Sequence, residues 1–285
     1  MEMTVYSKKP NRLLERLRFA GGANPVETLC CAGFEFKAWR CKSLAKHLVE
    51  WLPDYALTEE ELALHHGDAY DKLCEAASRV YTSEKYEKRG EAGEIALHAV
   101  CRDFFGTIPI SPRVFYKSAS NDVIKAFDLV HAKLDEPDVQ IWLGEAKLWE
   151  DRSAAISDAI ASIRKHVDQG FLTNEKLLLG SQIPKSTPRY EEVRELFRSQ
   201  TSLDKLMNAA VFVIGILSDS EAVQNAETSD ATYRAAANVE LDDVINRLQR
   251  SGLCQNLKVA LVYIPIERKA DLVKAFDRRL KGLTD

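Results

Sequence analysis

Two nearly uninterrupted apolar runs constrain the fold of this chain more than any other feature: "NAAVFVIGILSD" at 208–219 and "NLKVALVYIPI" at 256–266. A strand that has polar residues on neither face must be covered on both sides, as a central strand of a sheet between helices is. The stretch between the two runs, "AANVELDDVINRLQRSG", has helical spacing and ends at Gly252. This part of the chain therefore predicts buried strands that alternate with covering helices.

Helices and strands also succeed one another in the middle of the chain. The run "GEAGEIALHAVCRDFFG" predicts a helix, because Ile95, Leu97, Val100 and Phe104 build an apolar face and Gly106 follows it. Three strand-like runs come next, "RVFYK", "IKAFDLVHAKL" and "VQIWLGEAK", and "SAAISDAIASIRKHV" then returns to helical spacing. Three consecutive strands followed by alternating elements predict an α/β fold in which a mixed sheet is flanked by helices.

The first part of the chain has a different pattern. The run "KAWRCKSLAKHLVEWL" has helical spacing up to Pro53, and Thr58 and Glu61 form a capping box that predicts a second helix. A short strand and a turn are predicted for "PVETLCCAGFEF". We therefore expect a mostly helical N-terminal region at 1–86, which is a candidate surface for docking a partner, and a second domain at 87–285.

Composition narrows the classes of function. A net charge of −4 argues against a strongly basic nucleic-acid-binding protein, although a local basic groove is compatible with it. The six cysteines form no C-x-x-C pair, so neither a zinc site nor a disulfide framework is predicted. No apolar run approaches the roughly 20 residues of a membrane span, and the chain starts with no signal-like segment. A cytoplasmic protein with reduced thiols is the simplest expectation.

Charged residues interrupt two of the middle strands. Asp128 lies between Ala126 and Val130 at two-residue spacing, so it shares an otherwise apolar face and needs a partner or a metal there. Glu145 and Lys147 share one face near the end of the next strand, because side chains alternate along a strand. If the two strands pair as a hairpin, Asp128 and Glu145 converge at one end of the sheet.

The helix before these strands carries a further candidate, Glu94, among small residues that would let the helix approach the sheet closely. Carboxylates of this kind select Mg²⁺ or Mn²⁺, and a neighbouring lysine can orient the attacking water. Glu91, three residues earlier, is an alternative helix carboxylate. The simpler interpretation of Glu145 and Lys147 is an exposed ion pair at a strand end. His131 points to the opposite face from Asp128 and is expected to be a hydrogen-bonded structural residue.

The ordered set of these residues resembles the PD-(D/E)xK nuclease superfamily. A helix with Glu94, a strand with Asp128, a strand with Glu145-Ala146-Lys147 and a further helix follow its core, which implies a restriction-endonuclease-like fold. The resemblance implies that Asp128, Glu145 and the carbonyl of Ala146 hold the metal. It also implies that Lys147 is the catalytic lysine and that Glu94 contacts the metal directly or through water.

This resemblance covers roughly residues 88–217, and one departure is that Asp128 follows Ala-Phe, where the superfamily often has Pro or Gly-x before the aspartate. A narrower resemblance covers most of the chain. The segments "LCCAGFEFKAWR", "HLVEWLPDYAL", "KSASNDVIKAFDLVH" and "WLGEAKLW" are similar to the HamA family, the nuclease subunit of Hachiman antiphage defence.

Both resemblances together imply a metal-dependent DNA endonuclease. In the HamA family the nuclease works with a helicase subunit, HamB, so the implied partners are HamB and DNA. Two alternatives stay open: a catalytically silent nuclease-like module that regulates a helicase, and a stand-alone restriction-like endonuclease. The sequence leaves open the choice between DNA and RNA and between nicking and double-strand cleavage.

Overall fold

The computed structural model describes residues 8–63, 66–81, 90–111, 127–134 and 137–284, and a seven-stranded sheet lies at its centre. In chain order, the strands are β1 (Glu15–Ala20), β2 (Val26–Cys31), β3 (Phe34–Glu35), β4 (Ala38–Trp39), β5 (Ile108–Pro109), β6 (Leu129–Lys133), β7 (Gln140–Trp149), β8 (Ala210–Asp219) and β9 (Val259–Ile266). The large sheet has the order β1-β2-β9-β8-β7-β6-β5, and β3 and β4 form a separate two-stranded sheet.

Helices precede, separate and follow these strands. They are α1 (Cys41–Glu50), α2 (Leu52–Ala56), α3 (Ala69–Val80), α4 (Glu91–Phe105), α5 (Arg152–His166), α6 (Gln169–Gln182), α7 (Tyr190–Phe197), α8 (Leu203–Ala209), α9 (Glu221–Gln224), α10 (Ala231–Arg250), α11 (Leu253–Asn256) and α12 (Lys269–Thr284). No helix in the described ranges combines the length and the apolar character that a membrane crossing requires.

The sheet is mixed. Strands β2, β9, β8 and β7 are parallel, whereas β5, β6 and β7 form antiparallel pairs and β1 is antiparallel to β2. The two apolar runs become β8 and β9, which are buried along almost their whole length between neighbouring strands. This confirms the predicted α/β class and is consistent with a restriction-endonuclease-like fold. The predicted strand "RVFYK" lies outside the described residues.

The N-terminal region contributes more strands than its pattern predicted. Helices α1 to α3 lie within it, but β1 and β2 belong to the large sheet, where Val26 pairs with Ala260 of β9. The predicted short strand is β2, whose Cys30 and Cys31 are buried. Strand β1 is an edge strand with the sequence ERLRFA, so it lacks the apolar run that marked the central strands. The use of this region for docking a partner stays a prediction.

Two local predictions for the N-terminal helices hold only in part. Helix α1 ends at Glu50, before Pro53 as predicted, but a new helix follows at once, and Pro53 lies in the first turn of α2, where an N–H has no intrahelical acceptor in any case. The capping box at Thr58 does form, since the Thr58 N–H donates to Glu61 Oε2 at 2.8 Å. The chain beyond it makes a turn, however, and α3 begins only at Ala69.

Helix α4 lies against the sheet because small residues face it. A Cβ added at Gly93 would lie 3.1 Å from Leu148 Cβ on β7, and one added at Gly144 would lie 2.8 Å from Leu129 Cβ and 3.2 Å from Leu97 Cδ2. These contacts confirm the predicted close approach of the helix. They also show that α4 covers the face of β7 that carries Gly144 and Leu148.

Helix α5 covers the opposite face. Its buried residues Ile156, Ile160 and Ile163 form the predicted apolar side, and the helix packs on β7 and β8. Because side chains alternate along a strand, this is the face to which Glu145 and Lys147 point. The fold therefore places the two candidate residues between β7 and α5.

Candidate active site

The two charged residues of strand β7 form a three-member chain of charges with helix α5. Lys147 Nζ lies 2.8 Å from Glu145 Oε1 and 2.8 Å from Asp158 Oδ2. Glu145 is almost fully buried, Lys147 is partly buried, and the Asp158 side chain is 44% exposed. The arrangement is open to solvent on the α5 side, so it differs from the fully exposed ion pair that was the simpler interpretation.

This environment keeps Lys147 charged. Burial lowers the pKa of the Lys147 amine, but the hydrogen bonds to Asp158 and Glu145 and their negative charges outweigh burial, so that the pKa is raised above its ordinary value. Lys147 is therefore an ammonium group at neutral pH. As such it can donate hydrogen bonds and stabilise negative charge, but it cannot accept a proton.

Asp128 lies just before β6, where that strand parts from β7. The β6–β7 register ends with Leu129 opposite Gly144, and the Asp128 N–H donates to the Gly144 carbonyl at 2.8 Å. The Asp128 carboxylate turns towards β7, where its Oδ2 accepts a hydrogen bond from the Ala146 N–H at 2.9 Å. The prediction placed Asp128 within the strand; the structure places it at a bend at the end of the strand, beside Glu145.

The same hydrogen bond orients the backbone of Ala146. In an extended strand the N–H and the carbonyl of one residue point to the same edge. Since the Ala146 N–H points to Asp128, its carbonyl points to the edge that β6 leaves beyond Gly144. The carbonyl oxygen of Ala146 is thus a possible metal ligand beside the carboxylates of Asp128 and Glu145.

The helix carboxylates lie in the first turn of α4, the helix that packs on the opposite face of β7 from Glu145 and Lys147. Glu94 is buried, and its Oε2 accepts a hydrogen bond from the Tyr55 hydroxyl at 2.6 Å. Glu91 is partly buried, and its Oε2 has no hydrogen-bond partner among the described residues. Gly93, the residue before Glu94, packs on Leu148, which lies on the opposite face of β7 from Glu145 and Lys147. The role of Glu94 at a metal stays a prediction, and Glu91 remains its alternative.

His131 belongs to a separate buried network. His131 Nε2 lies 3.0 Å from His98 Nδ1, and His131 Nδ1 lies 2.8 Å from Thr107 Oγ1. His98 Nε2 lies 2.7 Å from Asp54 Oδ1, which also accepts a hydrogen bond from Arg102 Nε at 2.9 Å. The expectation of a hydrogen-bonded histidine is confirmed. We refer to Asp54, His98, Arg102, Thr107 and His131 as the histidine network.

Burial sets the charges in the histidine network. It lowers the pKa of His98, and it holds the pKa of His131 well below its ordinary value. For Asp54, burial would raise the pKa, but the hydrogen bonds and charges of His98 and Arg102 lower it overall. The Asp54 carboxylate is thus held in its ionised form between His98 and the Arg102 guanidinium.

Two residues near the site were missed by sequence reasoning. Asp158 lies eleven positions after Lys147 on α5, and only the packing of that helix brings it to the lysine. Glu175 on α6 is buried, and the backbone N–H of Phe127, the residue before Asp128, hydrogen-bonds to its carboxylate. Burial raises the pKa of Glu175 to about 7, against the smaller opposite effect of that hydrogen bond. No pattern in "DAIASIR" or "TNEKLLL" distinguishes these carboxylates from exposed helical residues.

The oxygen atoms at the site suit a hard divalent cation. Throughout the described part of the chain, no group of three or more histidine, cysteine, aspartate or glutamate side chains is placed so that it could hold a metal ion. Mg²⁺ does not require such a group, since it is commonly bound through one or two carboxylates and retains several waters. The carboxylates of Asp128 and Glu145 and the carbonyl of Ala146 fit that requirement.

Comparison with known proteins identifies a family. A family model described as HamA matches residues 14–280, which is nearly the whole chain. No curated protein matches the chain. The match includes β1 and β2 as well as the strands of the candidate site.

Proposed function

The chain belongs to the HamA family of the Hachiman antiphage defence system, and from this premise we propose that it is a metal-dependent DNA endonuclease. The proposal rests above all on one observation. Where β6 parts from β7, Asp128 is bound to the backbone of Ala146 at 2.9 Å, and Glu145 and Lys147 are in contact at 2.8 Å. Two carboxylates, a backbone carbonyl and an ammonium group thus occupy adjoining positions at an opening in the sheet, in the order that resembles the PD-(D/E)xK superfamily.

Each residue has a defined part in phosphodiester hydrolysis. Asp128, Glu145 and the Ala146 carbonyl would hold Mg²⁺ or Mn²⁺, and the bound metal lowers the pKa of water and polarises a phosphoryl oxygen. Lys147, as an ammonium group, orients the attacking water and stabilises the negative charge that develops on the phosphate. Glu94, or Glu91 in its place, would add a carboxylate through water.

The family and the net charge support a proposal for the partners. We propose that the chain is the effector subunit of a complex with a helicase, HamB, and that DNA reaches it through that partner. A net charge of −4 supports delivery of DNA by the partner, because a chain that is acidic overall attracts the DNA backbone weakly on its own. The region at 1–86 is the candidate docking surface.

Plasmid cleavage tests the activity. With Mg²⁺ or Mn²⁺, the wild-type protein is expected to nick or cut plasmid DNA, and Lys147→Ala or Glu145→Gln is expected to lower the rate by about 10²-fold or more. The exposed pair Lys46 and Glu50 on α1, 3.5 Å apart, provides matched controls, Lys46→Ala and Glu50→Gln, which should cut at the wild-type rate. Cleavage that persists in the two site variants would refute the assignment. An RNA substrate of the same sequence in parallel decides the class of nucleic acid.

The silent-module alternative is supported by one feature: Glu145 and Asp128 both already make contacts within the protein. Calorimetric titration with Mn²⁺ separates it from the nuclease. The nuclease is expected to bind Mn²⁺ and to lose that binding in Asp128→Asn and Glu145→Gln. A chain that binds no Mn²⁺, alone or with the helicase subunit, would be a scaffold.

A further inference from the structure

Asp158 contacts the proposed catalytic lysine but has no part in the proposed reaction. Its Oδ2 lies 2.8 Å from Lys147 Nζ, the same distance that separates Lys147 from Glu145 Oε1. The two carboxylates come from different elements, β7 and α5. The ammonium group is therefore held from two sides.

Helix α5 fixes the place of Asp158. Its neighbours Ala155, Ile156 and Ala159 are buried against the sheet. The packing of these side chains fixes the orientation of the helix about its own axis. Asp158 consequently lies at the rim of the packed surface, directed at β7. A side chain at the rim of a firmly packed helix is a better positioning group than one on a loop.

If Glu145 binds a metal, the cation draws on the same negative charge, so the hold of Glu145 on Lys147 weakens. A lysine side chain has about 2 kcal/mol of rotamer entropy, and a single ion pair with a partner that turns towards a cation leaves it loosely held. The carboxylate of Asp158 is separate from the proposed ligands Asp128 and Glu145. It keeps its contact with Lys147 when Glu145 coordinates.

We infer that Asp158 is the positioning residue of Lys147, which holds the ammonium group at the site while Glu145 binds the divalent cation. This inference rests on the proposed nuclease function for its catalytic consequence. Stability is not the reason for the contact, because ion pairs with an exposed partner contribute little to folding. Asp158 does not touch the substrate or the metal and acts only through Lys147.

Kinetics of the full chain provide the first test. Asp158→Asn keeps the size of the side chain and removes its charge, and it is expected to lower kcat for plasmid cleavage with Mn²⁺ by about 10- to 100-fold while KM for DNA changes less than about twofold. Asp158→Glu restores a carboxylate and should recover most of the rate. The control is Asp242→Asn, which removes an ion pair that is shorter still, 2.6 Å from Arg18, and lies on α10 far from Asp158 in the sequence. This variant should cut like the wild type.

Chemical labelling of Lys147 provides a test that needs no activity. The rate at which an amine-reactive reagent modifies Lys147, relative to exposed Lys46 in the same sample, is measured by mass spectrometry with and without Mn²⁺. In the wild type Lys147 should stay protected in both states. In Asp158→Asn its labelling should rise by about threefold or more, and most in the presence of Mn²⁺.

The outcomes separate the inference from the function on which it rests. Wild-type protein that cuts, together with Asp158→Asn that cuts and labels like the wild type, would overturn the positioning role. An equal loss of rate in Asp242→Asn would overturn it as well. If wild-type protein does not cut any DNA, the proposed function fails, and the labelling of Lys147 in metal-free protein still decides whether Asp158 holds the amine.

Discussion

The two faces of strand β7 both have charged side chains beside them, but in opposite surroundings. On the α4 side the histidine network is buried, and Asp54 is bound by both His98 and Arg102. On the α5 side, Lys147 and Asp158 are in contact while solvent reaches both. A buried charge must have its partners within the protein, because water is not available to it. A charge at an open face can change partners, which is what a metal ligand or a catalytic lysine needs.

The difference shows why similar residue types have different roles in this chain. The histidine network connects α2, α4 and β6, so it fixes how the helical N-terminal part sits on the sheet. On the other face, Lys147 connects β7 with α5. Loss of a charge should therefore affect stability on the first face and activity on the second.

The largest effect on stability is expected for Asp54→Ala. The substitution leaves the buried Arg102 guanidinium without its carboxylate, and the free energy of unfolding should fall by about 3–5 kcal/mol. Urea denaturation followed by circular dichroism measures it, with Asp242→Asn as the control for an exposed carboxylate. A loss below about 1 kcal/mol would show that the histidine network contributes little to the stability of the fold.

Glu175 tests whether burial alone, on whichever face of the sheet it occurs, shifts the pKa of a carboxyl group and makes stability depend on pH. Its pKa is about 7 in the folded chain against 4.5 for an ordinary glutamate, so folding favours its protonated form. Its contribution to stability is complete below pH 4.5 and is lost as the pH rises from about 4.5 to about 7, by roughly 2–3 kcal/mol.

In Glu175→Gln this part of the pH dependence should disappear, because the amide does not titrate. Urea unfolding at pH 5 and pH 8 gives the difference for each protein. Between these two pH values, the wild type should lose more stability than Glu175→Gln. Equal losses in both proteins would mean that Glu175 is ionised in the folded chain at both pH values.

Gly144→Ala tests the tight packing of the α4 side. The added methyl group would meet Leu129 Cβ at 2.8 Å, so β6 must shift away from β7. We expect a loss of about 1–2 kcal/mol in the free energy of unfolding, measured by urea denaturation. Because Asp128 precedes Leu129, cleavage should also slow. Gly22→Ala, at a position with open space around it, is the control and should change stability by less than about 0.5 kcal/mol.

The smallest effect on stability is expected for Asp158→Ala. The lost ion pair with Lys147 has a partly exposed partner, so the free energy of unfolding should change by less than about 1 kcal/mol. The same denaturation experiment measures it beside Asp54→Ala. A loss as large as that of Asp54→Ala would make both faces structural and would remove the contrast between them.

Much of the site could be predicted from the sequence because the relevant geometry is local. Alternation along a strand places Glu145 and Lys147 on one face whatever the rest of the chain does. The hairpin pairing of β6 and β7 then brings Asp128 beside them. Glu94 was harder to place, since a helical residue can face either side of its helix, and the observed contact is with Tyr55, which is 39 positions away in the sequence.

The sequence by itself determined the alternation of the main strands and helices from β6 onwards and the placement of Glu145 and Lys147 on one face, because apolar periodicity and side-chain alternation depend on neighbours within a few residues. Only the tertiary structure decided that β1 and β2 join the large sheet, that Asp128 bends towards the backbone of Ala146, and that Asp158 reaches the lysine. Such contacts depend on how whole elements pack. Packing is set by the shape of the entire core, to which glycines such as Gly93 and Gly144 contribute as much as the charged residues.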